Sequence, residues 1–242
     1  MNLVLLDGDP AQRRFVLRGR RARHAREVLR AEVGRTLRVG LVRGPRGVGR
    51  VVAVGDEVVL ECELEAEAPA PPWLDVVLAV PRPKVLARAL EALASFGVRR
   101  VDLVNAWRVD KSFFGSHRLD DDAVHEALVL GCEQGAVTWL PEVAVHPLLV
   151  PFLDETLAPR LAAEPARRRL IAHPHAPGLE NVPLGGAPVV VAVGPEGGWI
   201  GAELTSFARL AFVPVSLGPS ILRVEPALAA LVGQLWLWRR LT

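Results

Sequence analysis

The sequence predicts an α/β protein in which a small β-barrel precedes a domain built on a mostly parallel sheet. Two observations predict this fold. Between residues 37 and 64, Val and Leu alternate with polar residues in short runs separated by Gly, Pro and Asp, which is typical of short paired strands. After residue 73, continuous apolar runs alternate with amphipathic segments, as in parallel strands covered by helices on both faces.

The N-terminal part reads as one short helix followed by a strand-rich unit. The segment HAREVLR at residues 24–30 predicts the helix, and the strands lie between residues 37 and 64. The stretch EAEAPAPPW at residues 65–73 is rich in Pro and Ala, and proline-rich spacers disfavour regular structure. We therefore expect a β-barrel domain over residues 1–68, a linker at about 65–73 and a second domain over residues 74–242.

In the second domain the sequence predicts alternating strands and helices. The strands are expected at residues 74–80, 100–105, 169–173, 189–193 and 212–217. One helix is expected at residues 85–96, ended by Gly97, and one runs from the caps Asp120–Asp122 toward Glu133. A third precedes residue 212, and the last covers residues 222–241.

Composition limits the class of protein. Half of the 242 residues are hydrophobic, which excludes disorder for most of the chain. No apolar run is long enough to span a bilayer and no secretion signal is recognisable, so we expect a soluble cytoplasmic protein without membrane partners. Cys62 and Cys132 lie far apart and outside any Cys/His cluster, so buried thiols are expected, with neither a disulfide nor a bound metal.

Positive charge is concentrated near the N-terminus. Residues 10–50 contain thirteen arginines but only two acids, Glu27 and Glu32. The chain has 27 arginines and two lysines, so a coding bias explains why Arg replaces Lys, but it does not explain the missing acids. We favour a nucleic-acid partner over an ordinary solvated face. The expected RNA-binding residues are Arg13, Arg14, Arg18, Arg20, Arg21, Arg23 and Arg26.

Three predicted strands of the second domain end in unusual loops. These are His173-Pro174, Gly194–Gly198 and Leu217–Arg223. Ligands bind beyond the carboxyl ends of strands in open parallel sheets, and glycines allow a ligand to approach the backbone closely. No Lys-Ser/Thr follows Gly198 and Glu196 would repel a phosphate, so a phosphate-handling enzyme is disfavoured. Each loop alone is also compatible with a plain structural turn.

Taken together, the loops resemble a known signature pair. GPEGGWIGAEL at residues 194–204 is followed by LGPSILRVEPA at residues 217–227. This order is similar to that of the SPOUT superfamily, and most similar to its RsmE family, which methylates N3 of a uridine in small-subunit (16S) ribosomal RNA. Further matching segments are ASFGVRRVDLV, GCEQ, AHP and HAREVLR, so the resemblance covers nearly the whole chain.

The resemblance implies more than the residues do by themselves. It implies a PUA-like N-terminal domain, a C-terminal trefoil knot, and a homodimer that binds ribosomal RNA across both subunits. It also implies a bound S-adenosylmethionine. The residues expected to hold this cofactor are Ala172, His173, Pro174, Val193, Gly194, Pro195, Glu196, Gly197, Gly198, Ser216, Leu217, Gly218, Ile221, Leu222 and Arg223.

Methyl transfer to uridine N3 requires positioning and removal of the N3 proton, and it requires no metal. Ile221 and Leu222 are expected to pack against the adenine. We expect Arg223 to stabilise the uracil anion, and Glu196 or Glu225 to accept the proton.

The chain also departs from the family pattern. Ser220 stands where the family usually has Arg, and Pro226 where it has Thr; Glu91-Ala92 replaces a segment with Lys, and residues 135–138 lack an Arg. Two alternatives therefore stay open. One is an RNA-binding or ribosome-assembly factor with a degenerate active site, and the other is a SPOUT methyltransferase for another position in ribosomal or transfer RNA.

Overall fold

Two β-sheets, the larger one surrounded by helices, form an α/β fold. The structure, a computed structural model, describes residues 2–183 and 185–241. The outer limits of the predicted domains, residues 1 and 242, lie outside this part. Within it, a five-stranded sheet comes first and a six-stranded parallel sheet follows. This order confirms the predicted α/β class and the mostly parallel second sheet.

The first sheet is a half-barrel. Its elements are β1 (Val4–Leu6), β2 (Arg14–Leu17), α1 (Gly19–Glu27), β3 (Thr36–Leu41), β4 (Arg46–Val54) and β5 (Val58–Leu64). The strand order is β1-β3-β4-β5-β2, and no ladder joins the two edge strands within the described residues. The predicted strands between residues 37 and 64 are confirmed as β3 to β5. Among residues 2–183 and 185–241, a barrel closed by hydrogen bonds is not found, because β1 pairs only with β3 and β2 only with β5.

The predicted helix over residues 24–30 is misplaced. The helix α1 begins at Gly19 and ends at Glu27. Its buried side is made by Ala22 and Ala25, three positions apart as one helix face requires, whereas Val28 is 61% exposed. Of the apolar residues in the predicted segment, Ala25 lies on the buried face, whereas Leu29 packs against the half-barrel core from beyond the end of α1.

The second sheet has the strand order β11-β9-β10-β6-β7-β8. Its strands are β6 (Leu74–Ala79), β7 (Arg100–Val104), β8 (Glu142–His146), β9 (Arg168–Ala172), β10 (Val189–Val193) and β11 (Val213–Val215). The helices of this part are α2 (Pro83–Ser95), α3 (Asp121–Gly135), α4 (Leu149–Pro151), α5 (Ala158–Ala163), α6 (Gly201–Arg209) and α7 (Val224–Leu241). A π-helical turn, Phe152–Leu157, connects α4 to α5.

The central strands are covered on both faces. Every residue of β6 and β10 is buried, although successive side chains of a strand point to opposite faces. The predicted strands and helices of this part are confirmed with ends shifted by a few residues. The sequence interpretation missed β8, an edge strand, and the helical segment from α4 to α5. Asp120 occupies the position before α3 but makes no capping bond and contacts His117 at 3.2 Å instead.

The two sheets have separate hydrophobic cores, and β1 takes part in both. Val4 and Leu6 pack in the core of the half-barrel, whereas Leu3 and Leu5 pack in the core of the parallel sheet. The GCEQ segment of α3 holds β1 in place, because the Glu133 carboxylate accepts the backbone N–H of Leu5 at 3.1 Å. Residues 65–73 form neither helix nor strand.

Both cysteines are free and buried, as predicted. Burial raises the pKa of the Cys62 thiol to about 11 and that of the Cys132 thiol to about 12. Neither thiol is therefore ionised at neutral pH.

Candidate functional site

The carboxyl ends of β9, β10 and β11 surround one cavity of about 390 Å³. Fourteen of the fifteen residues expected to hold a cofactor line this cavity; the exception is Arg223. They come from the segments 172–174, 193–198, 216–218 and 221–222. Ser220, named above as a departure from the family pattern, also lines the cavity, and the sequence interpretation missed six further lining residues, which are Arg108, His175, Trp199, Val215, Val224 and Ala227.

The cavity lies near the point where the strand order reverses. From β6 the chain continues outward through β7 to β8, whereas β9, β10 and β11 lie on the other side of β6. Ligands of open parallel sheets bind in the crevice that such a reversal leaves at the carboxyl ends. The strand order therefore explains why three loops far apart in sequence meet here.

The glycine loop after β10 is shaped by its neighbours. A side chain at position 194 would meet the indole ring of Trp199 at 3.1–3.2 Å, so the ring packs directly over Gly194. Gly198 has a φ of +72°, a left-handed conformation that favours glycine. The loop is thus a structural turn and at the same time one wall of the cavity.

Arg108 is the most informative of the missed residues. It follows β7 and its guanidinium donates a hydrogen bond to the carbonyl of Gly197, 89 positions later in the chain. A Cβ at Gly197 would lie 2.9 Å from the Arg108 Cδ, so the Arg108 stem rests on the glycine loop. Only the tertiary fold brings these two positions together, and no local pattern in the sequence indicates it.

Loop 105–110, which carries Arg108, is attached to the start of α6. The buried carboxylate of Glu203 accepts the backbone N–H of Trp107 at 2.7 Å and the backbone N–H of Ile200 at 2.8 Å. Both oxygens are engaged, which satisfies two amide groups that would otherwise lack partners.

The three residues predicted as catalytic differ in their surroundings. Glu196 lines the cavity and its carboxylate lies 3.9 Å from the Nε of Arg82. Glu225, in the first turn of α7, lies outside the cavity wall and pairs with the Nε of Arg88 at 2.7 Å. The side chain of Arg223 is exposed and has no hydrogen bond or ion pair within residues 2–183 and 185–241. Arg223 therefore pairs with neither of these two acids.

The structure shows where two departures from the family pattern, Ser220 and Pro226, lie. Ser220 is exposed on the cavity rim. Pro226 is the third residue of α7, where the backbone N–H of a helix has no intrahelical partner, so proline removes no helical bond. Pro226 is thus compatible with the helix.

The seven arginines expected to bind RNA fall into two groups. Arg18 pairs with Glu57 at 2.6 Å, Arg20 with Glu126 at 3.0 Å, and Arg26 donates to the backbone of Asp56 at 3.0 Å. Arg21 is partly buried, 3.9 Å from Glu133. Within the described part of the chain, the side chains of the other three have no hydrogen bond or ion pair; these are Arg13, Arg14 and Arg23.

No group of three or more His, Cys, Asp or Glu side chains suited to a metal ion occurs among the described residues. In the same part of the chain, no helix has the length and apolar character needed to cross a membrane.

Comparison with known proteins agrees with this geometry. The sequence profile of a family described as an RNA methyltransferase domain matches residues 68–236. The ribosomal RNA small subunit methyltransferase E of Treponema pallidum is 26% identical over 237 residues, covering 95% of this chain and 88% of that protein. A Borreliella burgdorferi protein named ribosomal RNA small subunit methyltransferase E 1 is 24% identical over 236 residues, covering 95% of each.

Solved structures share the fold. The ribosomal RNA small subunit methyltransferase E of Neisseria gonorrhoeae, bound to S-adenosylmethionine, has a TM-score of 0.82 and 21% identity, covering 98% of each chain. A methyltransferase of Legionella pneumophila in complex with the same cofactor has a TM-score of 0.79 and 22% identity, covering 98% of this chain and 97% of that one. The profile match spans most of the chain and confirms the resemblance predicted from the loops. The protein belongs to the RNA methyltransferase domain family and is similar, within it, to the RsmE proteins.

Proposed function

We propose that the protein is an S-adenosylmethionine-dependent methyltransferase that modifies N3 of a uridine in small-subunit (16S) ribosomal RNA. The observation that carries the proposal is the meeting of three loops, after β9, β10 and β11, around one cavity. Family membership and the activity for which the RsmE relatives are named, methylation of small-subunit ribosomal RNA, support it.

The cavity suits the proposed cofactor in size and chemistry. Its volume of about 390 Å³ lies in the range of small-molecule sites. Ile221 and Leu222 are 77% and 40% exposed at its rim, so apolar surface is available to an adenine ring. Glu196 and Arg108 add one negative and one positive group to the wall, which matches a ligand that carries a sulfonium, an ammonium and a carboxylate. The bound cofactor would supply an electrophilic methyl group.

In this proposal the protein contributes positioning and charge. The unpaired guanidinium of Arg223 stabilises the negative charge that develops on the uracil oxygens as N3 loses its proton. Glu196 accepts that proton, directly or through a water, because its partly exposed carboxylate lies in the cavity wall. Glu225 is assigned a positioning role, since its carboxylate is engaged by Arg88 and lies outside the wall.

The N-terminal half-barrel is proposed as a PUA-like RNA-binding domain, with the domain limits at residues 68 and 74. Two separate hydrophobic cores and the irregular segment 65–73 between the sheets support this division. The exposed and unpaired Arg13, Arg14 and Arg23 are its first candidates for phosphate contacts.

We also propose a trefoil knot. In such a knot, the segment that leads into α7 passes through the loop that follows β9. Contacts between the final segment and that loop support it. The Ser216 N–H donates to the Pro177 carbonyl at 2.8 Å, and Arg239 donates to the Ala187 carbonyl at 2.7 Å.

We further propose that the protein is a homodimer located in the cytoplasm. Exposed apolar side chains on α7, Leu237 at 51% and Leu241 at 67%, offer surface for a second copy.

Calorimetry with S-adenosylmethionine, followed by mass mapping of small-subunit RNA incubated with the protein and cofactor, tests the function. We expect cofactor binding and one added methyl group on a uridine, at N3. Binding without methylation would favour a different RNA target. Absence of cofactor binding would leave the RNA-binding or assembly factor, the alternative to which Ser220 on the cavity rim points.

A further inference from the structure

A second cavity lies beside the first and contains an exposed tryptophan. Trp107, in the loop after β7, is 80% exposed and lines a cavity of about 380 Å³. Leu148 and Val150, after β8, line the same cavity and are 62% and 49% exposed. Large apolar side chains that cluster in contact with solvent mark interaction surfaces more often than isolated ones do.

Trp107 is held in place by several hydrogen bonds. Its backbone N–H is bound by the buried Glu203 carboxylate at 2.7 Å. Next to it, the Asn105 amide donates to the Pro147 carbonyl at 3.1 Å, which joins the loops after β7 and β8. The Val109 N–H donates to the Ala106 carbonyl at 2.9 Å and closes the turn around Trp107. These bonds fix the backbone of Trp107, so only its two side-chain torsions have to be ordered when a ligand binds.

The two cavities are lined by neighbouring residues of the same two segments of the chain. Trp107 lines the second cavity and its neighbour Arg108 lines the first, where it also binds the Gly197 carbonyl. Likewise Ile200 lines the second cavity and Trp199 the first. An RNA strand bound at the glycine loop would therefore meet Trp107 one residue along the chain from Arg108.

The charges around Trp107 favour RNA as the occupant. Lys111, one of only two lysines in the chain, lines the second cavity, and Arg108, next to Trp107 in the chain, lines the first. Two acids are close. Both oxygens of Glu203 accept backbone N–H groups, and Asp110 accepts from the backbone and the hydroxyl of Ser112 at 2.9 and 2.8 Å. An aromatic face beside cationic side chains is the combination with which proteins bind unpaired bases and their phosphates.

We propose that Trp107 is a stacking platform for an unpaired base of the RNA substrate, next to the nucleotide that is methylated, with Lys111 contacting the flanking phosphate. This rests on the proposed function for the identity of the substrate. The platform itself requires only that the protein binds single-stranded RNA.

The test uses the full chain, a fluorescein-labelled decamer of uridine, and the variants Trp107→Ala and Trp107→Phe. We expect Trp107→Ala to weaken decamer binding by about tenfold or more, and Trp107→Phe, which keeps an aromatic face, to stay within about threefold of the parent. Affinity for S-adenosylmethionine should stay the same in both, because Trp107 does not line the first cavity.

Decamer binding by Trp107→Ala that equals that of the parent would overturn the proposal. So would a change from dimer to monomer in sedimentation of Trp107→Ala, since the surface would then be a contact between two copies. Because decamer binding is measured without cofactor, it separates this proposal from the proposed function. If the parent protein does not bind S-adenosylmethionine, the proposed methyltransferase function is contradicted, whereas the proposal for Trp107 is not affected.

Discussion

The carboxylate of Glu225 lies 2.7 Å from the Nε of Arg88, so the first turn of α7 is tied to α2 beside the cavity. Glu196, by contrast, lies in the cavity wall, where its carboxylate accepts the backbone N–H of Arg82 at 3.5 Å and lies 3.9 Å from the Arg82 Nε. The two candidate proton acceptors therefore differ in their surroundings, and Glu196 is the one that lines the cavity.

Glu196→Gln should therefore lower kcat by roughly 100-fold or more, because positioned general bases contribute about 10²–10⁴ to a rate. Glu225→Gln should lower it less, since it removes a contact to Arg88 and no group from the wall. The measurement is kcat for methyl transfer to small-subunit RNA as a function of pH. A larger loss in Glu225→Gln than in Glu196→Gln would reverse the assignment.

Arg223 is expected to act in the transition state. Arg223→Ala should reduce kcat by roughly 10²-fold, the usual cost of losing one donor to a developing anion, with the Kd for S-adenosylmethionine changed by no more than about threefold. Arg168→Ala is the matched control, because Arg168 is exposed at the opposite end of β9. Weaker cofactor binding with an unchanged rate would remove Arg223 from this role.

Arg108 is expected to hold the glycine loop for the cofactor. Arg108→Ala removes the hydrogen bond to the Gly197 carbonyl and the stem that rests on it. We expect the Kd for S-adenosylmethionine to rise by about tenfold, in line with the loss of a charged hydrogen bond. Arg118→Ala, a change at an exposed arginine of a short helical turn, serves as the control in the same calorimetric titration. Equal Kd values for the two variants would contradict the role of Arg108.

The arginines of the half-barrel should differ in their effect on the salt dependence of RNA binding. Replacing the unpaired Arg13, Arg14 and Arg23 by Ala should reduce the slope of log K against log salt concentration by about 2–3, because each phosphate contact contributes about 0.7–0.9.

The control replaces Arg18, Arg20 and Arg26, which already contact protein groups. It should change the slope less, since these side chains must give up a protein partner to reach a phosphate. Fluorescence titrations with small-subunit RNA at several salt concentrations give both slopes, and equal changes would count against the division into two groups.

Glu133 should make stability depend on pH. Burial raises the pKa of this carboxyl above its ordinary value of 4.5, despite the opposing effect of the Leu5 N–H and nearby Arg21. The folded protein therefore retains a proton that the unfolded chain loses, and the free energy of unfolding should fall as pH rises from about 4.5 through the raised pKa.

Glu133→Gln keeps an acceptor for Leu5 and cannot ionise. The free energy of unfolding of both proteins is measured with urea from pH 4 to 8. As pH rises, the value for the parent should fall relative to that for Glu133→Gln. A difference that stays constant, or that shifts in favour of the parent, would show that Glu133 is not the group responsible.

Much of the architecture was predictable because it depends on neighbours in the chain. The alternation in β3 to β5 and the apolar runs of β6 and β10 express which side chains each strand buries. Short edge strands were predicted less consistently: β11 was predicted, whereas β1 and β8 were missed. The strand β1 has three residues, all buried by two different cores, and β8 lies at the edge of its sheet with no fully buried residue.

By itself the sequence determined the α/β class, the irregular segment between the two sheets, the family, and the three loops of the candidate site. Only the tertiary structure decided which residues face one another across that site. Arg108 reaches Gly197 over 89 positions because parallel strands bring their carboxyl ends to one edge, whatever the length of chain between them. Arg88 engages Glu225 over 137 positions because α2 packs against α7. Periodicity and motifs report only on residues that are close in the sequence, so they do not predict contacts between positions that are far apart in the chain.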